Sequence, residues 1–358
     1  MTEAALPEAA LPEAMEAVVN FAPAPHSVDL REVRVPDIGE DDVLVAVKAV
    51  GVCGSDVHQY ESTHSWAVNY PVVLGHEFSG VVARVGGKVK AFAKGDRVTS
   101  ETAAVVDPAS PFVRTGRYNI DPDRKGFGYG VDGAMASFVR VPERCLHALP
   151  ASVSFETAAL AEPCSVAYNT VCVNSRVRPG DAVVVIGPGP IGLCATLLAG
   201  LSGASPLVVV GTPADHDRLI LASKLGATHV IGSGAKEAVE RGRELTDGYG
   251  PDLVVDSAGV SASLHLALEL VRPGGQVTKV GWGPQPYGFS LDPLVAKAIT
   301  LQGSYSHNWA VWEKVLHLLA TGQLDPSPLV QYRGPLSSWE EGFAAMHEGR
   351  AVKAVLLP

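Results

Sequence analysis

The rhythm of apolar and polar positions changes twice along the chain. The opening EAALPEAALPEAMEA repeats Glu-Ala-Ala-Leu-Pro, and Pro7 and Pro12 interrupt any helix of useful length, so residues 1–14 read as a disordered, frayed extension. From Glu16 short valine-rich runs follow, AVVNF, DVLVAVKAVGV, FSGVVARVG and GDRVTS, separated by Gly, Pro and Asp. This is the pattern of antiparallel strands joined by turns. After Val177 the runs DAVVVIG, PLVVVG, THVIG, DLVVDSAG, GQVTKVG and TLQGSYS alternate with helical stretches such as Pro213 to Leu225 and Ala235 to Thr246. Strands alternating with helices make βαβ units and a doubly wound parallel sheet of the α/β class. The carboxyl-terminal stretch returns to mixed elements and is expected to rejoin the β-rich domain. The chain therefore divides into 1–14, a β-rich domain 15–166, a dinucleotide-type domain 167–299 and a return 300–358, with chemistry expected in the cleft between the domains.

Residues 182–214 carry no charge, a length that would nominally span a bilayer. GPGPIG and a second apolar run break this stretch into strand, tight turn, helix and strand, so no membrane span is expected. The composition agrees, with 47% hydrophobic and 18% charged residues and 37 glycines in 358, which excludes disorder and coiled coil and suggests two domains. A formal charge of −10 without a basic cluster excludes nucleic acid and anionic membrane as partners. Five scattered cysteines fit a reducing cytoplasm, and Met1 to Met15 lack the basic and apolar regions of a secretion signal.

Gly187, Gly189 and Gly192 form G-x-G-x-x-G, with Pro190 and Ile191 between, after a strand and at the start of a helix. The first glycine permits the turn, the second admits a pyrophosphate, the third lets helix pack on strand, and the helix N-terminus holds the phosphate charge. About twenty residues on, where an acid would bind the adenosine ribose, the sequence reads VVVGTPADHDRL. Gly211 stands at the acid's place, and Thr212 with Arg218 offer partners for a 2′-phosphate, which leans the expectation to NADP. Asp215 or Asp217 bending back to the ribose would instead serve NAD.

GVCGSDVHQY and VLGHEFSGVV supply Cys53, His76 and Glu77, and AALAEPCSVAYNT supplies Glu162. A catalytic zinc takes about three N, S or O ligands and keeps a position open. Each residue alone reads more plainly as core or turn, but four in one β-rich domain, two flanked by glycine, point to a metal.

With these motifs in place the sequence resembles the zinc-dependent medium-chain dehydrogenases, and within them the polyol branch of sorbitol, L-iditol and arabitol-phosphate type. The resemblance runs from about Glu16 to Lys353 on GVCGSDVH, PVVLGHEFSG, GDRV, GRYN, AEPCSVA, GPGPIG and KLGA in family order. It implies a GroES-like catalytic domain that includes the carboxyl-terminal segment, a Rossmann coenzyme domain and a homodimer or homotetramer. It also implies that one catalytic zinc is held by Cys53, His76 and Glu77, with Glu162 contributing directly or through metal-bound water. Ser55 and His58 match the family's proton relay, and Val280 and Gly281 lie where nicotinamide is held. The implied activity is oxidation of a secondary alcohol of a polyol or sugar to a ketone with NAD(P). A dehydrogenase of simple secondary alcohols or threonine-like amino alcohols is the alternative, and a zinc-free, non-catalytic relative is argued against by the retained ligands.

The sequence departs from the family in one place. Where many relatives bind a second, structural zinc on four cysteines, it reads Asp107, Ser110, Val113 and Asp121, so one zinc per chain is expected. Tyr60, His64, Trp66, Arg114, Tyr129, Tyr305 and His307 are candidate wall residues. Arg114 or Lys125 offers a charge to a substrate phosphate, although a solvated surface charge is the plainer reading.

Overall fold

The computed structural model describes residues 11–175, 177–283 and 285–358. Residues 1–10 of the proposed extension lie outside the described residues. Of it, Leu11 packs against the Met15–Val35 cluster and Ala14 opens the first strand.

The valine-rich runs after AVVNF become strands of a seven-stranded sheet built on Asp42–Gly51, which pairs with Glu77–Val85, Phe138–Pro142 and Lys353–Leu357. A three-stranded sheet of Val28–Arg34, Ala14–Asn20 and Val72–Val73 stands beside it. Lys353–Leu357 and its parallel neighbour Val330–Pro335 come from the end of the chain, so the carboxyl-terminal segment does close the β-rich domain.

The second domain is a six-stranded parallel sheet in the order His229–Ile231, Leu207–Val210, Val183–Ile186, Leu253–Asp256, Gln276–Lys279, Thr300–Gly303. Three of its central strands, Leu207–Val210, Val183–Ile186 and Leu253–Asp256, are buried throughout, which is why they read as nearly unbroken apolar runs. One boundary is corrected: Thr300–Gly303 pairs with Gln276–Lys279 as the sixth strand, so the return begins after Gly303 and not at 300. The predicted helices form as Ala235–Glu244 and as a 3-10 turn Pro213–Asp215 running into His216–Lys224. The uncharged stretch folds as strand Val183–Ile186, helix Pro190–Leu201 and strand Leu207–Val210. No helix among the described residues is long and apolar enough to cross a membrane.

Two elements join the domains and carry the site. Helix Ala161–Tyr168 continues into a π-helical turn Asn169–Asn174, whose Asn169 Nδ2 donates to the carbonyls of Tyr305 and Ser306. Helix Trp309–Ala320 packs on Ala161–Tyr168 and buries Trp312 completely.

Candidate active site

Cys53 caps the short helix Gly54–Tyr60, and its N–H donates to Asp56 Oδ2 at 2.9 Å. His76 and Glu77 arrive on the next strand, where Glu77 lies opposite Gly51. A Cβ on Gly51 would fall 2.4 Å from Glu77 Oε2, so the glycine leaves the room that carboxylate needs. One ligand atom each from Cys53, His76 and Glu77 lies within 4.8 Å of the others. Glu162 falls outside that tight group. It faces it from helix Ala161–Tyr168, close enough for its charge to act on both His76 and Glu77.

The donor set of thiolate, imidazole and carboxylate suits Zn²⁺, and the buried polar atoms test the fit. His76 Nδ1 and Asp56 Oδ1 are 3.8 Å apart, and both are buried without a hydrogen-bond partner. A ring bound to metal through its other nitrogen carries its proton on Nδ1 and turns it toward Asp56, the usual carboxylate–histidine–metal arrangement. Burial disfavours the His76 cation, yet the charges of Cys53, Asp56 and Glu162 carry its pKa well above the ordinary value; the pocket is built to hold positive charge.

Two partners of the site are invisible in the local sequence. Lys353, 1% exposed, donates from Nζ to Glu77 Oε1 at 2.6 Å and to Val52 O at 2.7 Å. Burial raises the Glu77 pKa and Lys353 opposes the rise, with Glu77 left above its ordinary value. His307 was expected on the substrate wall and is instead buried, with Nε2 3.0 Å from Glu162 Oε1. Trp312 Nε1 donates to His307 Nδ1 at 2.7 Å, which fixes the tautomer: Nε2 carries the hydrogen and donates to Glu162. Burial raises Glu162, but the His307 hydrogen bond and the surrounding cations bring it below its ordinary value.

Ser55 and His58 share the Cys53 helix. His58 Nδ1 pairs with Thr63 Oγ1 at 2.9 Å and its ring is exposed. Burial of part of the ring, with His64 and His347 nearby, holds its pKa below the ordinary value. Of the remaining wall candidates, Tyr60 packs edge-on against Trp339 and Phe343 in the core, and Arg114 is exposed at the end of a short helix. Trp66, Tyr129 and Tyr305 line one cavity together.

At the glycine turn Gly187 has φ +96° and a Cβ there would meet Ala258, while a Cβ on Gly192 would fall 1.9 Å from Gly187 O. Around Gly189 nothing lies within 4 Å of that position, leaving the open backbone face a pyrophosphate approaches. Pro190 and Ile191 begin the helix. Ser257 Oγ donates to the carbonyls of Ile186 and Gly187 at 2.8 Å and pins the turn. Val280 and Gly281 both donate to Asp256 O, ending the fifth strand in the cleft. At the second strand, Asp215 Oδ2 accepts from Thr212 N and Oγ1 at 2.8 and 2.7 Å, and Arg218 Nη1 stands 3.9 Å from Oδ1. Gly211 lies directly against Asp215 and Pro188.

In the lobe without cysteines, Asp107 Oδ1 accepts from Ala109 N, Ser110 Oγ from Phe112 N, and Asp121 Oδ1 from Asp123 N. Tyr118 donates to buried Glu101 and accepts from Trp309 N, both at 2.5 Å. These bonds tie the lobe to the body of the protein.

Residues 39–151 match the alcohol dehydrogenase GroES-like domain and residues 190–321 the zinc-binding dehydrogenase domain. The chain is 36% identical to sorbitol dehydrogenase of Halalkalibacterium halodurans, covering 96% of this chain and 99% of that protein. It is 34% identical to D-arabitol-phosphate dehydrogenase of Enterococcus avium, covering 96% and 97%. A Sinorhizobium meliloti protein assigned to the zinc-binding dehydrogenases and solved with NADP superposes with a TM-score of 0.87 at 25% identity, covering 97% and 100%. With the Cys-His-Glu cluster, the glycine turn and both domain types in place, the chain belongs to the zinc-binding medium-chain alcohol dehydrogenases, oxidoreductases that use NAD(P).

Proposed function

We propose that this enzyme oxidises a secondary alcohol of a polyol or sugar-type substrate to the ketone, with NAD as the hydride acceptor. The observation that carries the reading is the carboxylate-bearing metal cluster of Cys53, His76 and Glu77, with Glu162 facing it. Carboxylates at the site and polar walls suit a substrate with several hydroxyls. Zinc bound there supplies the Lewis acidity that favours an alkoxide near neutral pH, and the nicotinamide supplies the acceptor.

The chain's own residues do the rest. Ser55 takes the carbinol proton and His58 delivers it to solvent, its neutral ring offering Nε2 while Nδ1 is held by Thr63. His307 holds Glu162 ionised and aimed at the cluster, and Lys353 balances Glu77. Val280 and Gly281 back the nicotinamide, and the walls of the cleft exclude water during transfer. The sequence leaned to NADP. Asp215 now engages both Thr212 and Arg218, the groups offered to a 2′-phosphate, and presents its carboxylate beside Gly211, which favours NAD. The open edge strand Thr300–Gly303, with Leu301 and nearby Val295 exposed, serves as a subunit contact in a homodimer or homotetramer. The free thiols of all five cysteines suit a reducing cytoplasm.

The test is near-ultraviolet absorbance of reduced coenzyme, with NAD and NADP separately, against free polyols, phosphorylated polyols and simple or amino alcohols. Turnover of polyols that is lost on chelation and restored by zinc is the expected result. Activity confined to simple or amino alcohols overturns the substrate assignment.

A further inference from the structure

A cavity of about 480 Å³ has walls from both domains. Trp66, Arg124, Lys125 and Tyr129 come from the catalytic domain, Trp282 from the coenzyme domain, and Tyr305 from the start of the returning segment. The cavity adjoins the reaction centre in two ways. Tyr129 feels the charge of Glu162. Tyr305 sits two residues before His307, which binds that same carboxylate. Trp66 and Trp282 meet edge to face across the cleft at 6.1 Å, and Trp282 is 60% exposed. Flat aromatic faces of this kind accept the C–H faces of a carbon chain.

This wall carries two cations, Arg124 and Lys125, against one acid, Asp121. Arg124 Nη2 donates to the Tyr305 hydroxyl at 2.5 Å, and its guanidinium lies 4.8 Å over that ring. Its Nη1 is buried without a hydrogen-bond partner. Both contacts position a guanidinium and neither neutralises it. Among the described residues no carboxylate pairs with Arg124 or with the exposed Lys125. Asp121 is the acid on the same wall; its Oδ1 accepts from Asp123 N at 3.0 Å, and the Arg124 charge acts on it from beyond ion-pair distance. In a chain of net charge −10, a guanidinium and an ammonium left together on a cavity wall are matched to an anion, and a planar fork of donors is matched to an oxyanion.

We propose that this cavity is an anion subsite that takes a phosphate monoester, so that the preferred substrate is a polyol carrying a terminal phosphate. Arg124 and Lys125 bind the phosphate, and the tryptophans flank the carbon chain between it and the carbinol. This rests on the polyol reading above. The volume lies within the range of small-molecule sites, roughly 300–1,000 Å³, and is ample for such a chain, whereas a threonine-sized substrate would leave most of it empty.

The test compares kcat/KM of the zinc-loaded enzyme for a free polyol, its terminal phosphate and the matching aldonate. A preference for the phosphate of about 30-fold or more is expected, falling with added salt and collapsing at least tenfold in Arg124→Gln and in Lys125→Gln. A wild-type ratio near one, or a ratio unchanged in both variants, overturns the proposal. Aldonates outrunning phosphates keep the anion site and make a carboxylate its occupant. A binding readout separates this proposal from the polyol reading: inorganic phosphate titrated into NAD-saturated enzyme, followed by tryptophan fluorescence. Saturable quenching that is lost in Lys125→Gln, an exposed position with little risk to folding, supports the subsite even where no polyol turns over. Absent quenching, or quenching that survives both variants, overturns the subsite while leaving polyol turnover to be judged separately.

Discussion

A buried lysine and a buried histidine set the charge at the metal cluster. Lys353 is enclosed with Glu77 and its cation survives because Glu77, Cys53 and Glu162 outweigh the cost of burial. Removing one member of a buried pair leaves the other uncompensated, typically at a cost of about 3–5 kcal/mol. Lys353→Met in metal-free protein is therefore expected to lose that much by urea denaturation, with added zinc recovering part of it. His307→Phe removes the donor that keeps Glu162 ionised, so burial pushes that carboxyl up and its ionised form appears only at higher pH. The expected outcome is zinc binding weaker by about 10–100-fold, measured against a competing chelator, and an acid limb of kcat/KM moved to higher pH. An unmoved limb with unchanged metal affinity would remove His307 from the site. His58 gives a third expectation. Its pKa is held below 6.5, so the ring proposed to accept the relayed proton is largely neutral near pH 7, and that accepting form is lost as pH falls through the lowered value. His58→Asn should abolish the corresponding step in the pH–rate profile and slow turnover; a profile identical to wild type would exclude the imidazole from the relay.

At the scale of elements, the glycine turn shows how a short motif becomes a binding surface. Gly187 is required by its positive φ and Gly192 by its contact with Gly187 O, while Gly189 faces open space. Gly192→Ala drives a methyl into backbone that cannot move aside. Overpacking of this kind costs about 1–3 kcal/mol, and coenzyme affinity, read by fluorescence titration, is expected to fall more than tenfold as helix Pro190–Leu201 tilts from its strand. The strand and helix pattern was legible from the runs of valine and the 3.6-residue texture because each signal is local. The last Rossmann strand was legible as a strand too, yet the domain boundary was drawn ahead of it. Thr300–Gly303 is largely exposed, and an exposed edge strand carries little hydrophobic signal to say which sheet it joins.

For the whole molecule, the lobe at residues 101–125 links metal content to architecture. Its closure through Glu101, Tyr118 and Asp121 uses hydrogen bonds. Purified protein is expected to hold one zinc per chain by elemental analysis. Chelation should abolish activity and lower the unfolding midpoint by the stabilisation that bound zinc supplies, while far-ultraviolet dichroism changes little. Finding two tightly held zincs would refute the expected stoichiometry. Cys53→Ala should remove the metal and turnover together and leave coenzyme affinity intact, since the glycine turn belongs to the other domain.

The sequence by itself determined the two domain types, the glycine turn and the segments that carry Cys53, His76, Glu77 and Glu162. Periodicity, turn chemistry and closely spaced motifs act over a few residues and leave a linear trace. Tertiary structure alone decided what those residues meet. Lys353 reaches Glu77 across 276 residues, and His307 reaches Glu162 across 145. The same holds for Asp215 closing on Thr212 in place of a free 2′-phosphate site, and for the unpaired Arg124 and Lys125 on one cavity wall. Pairings of this kind depend on how sheets and helices bring distant side chains together in a desolvated space. Burial decides which charges must be matched, and no spacing along the chain records it.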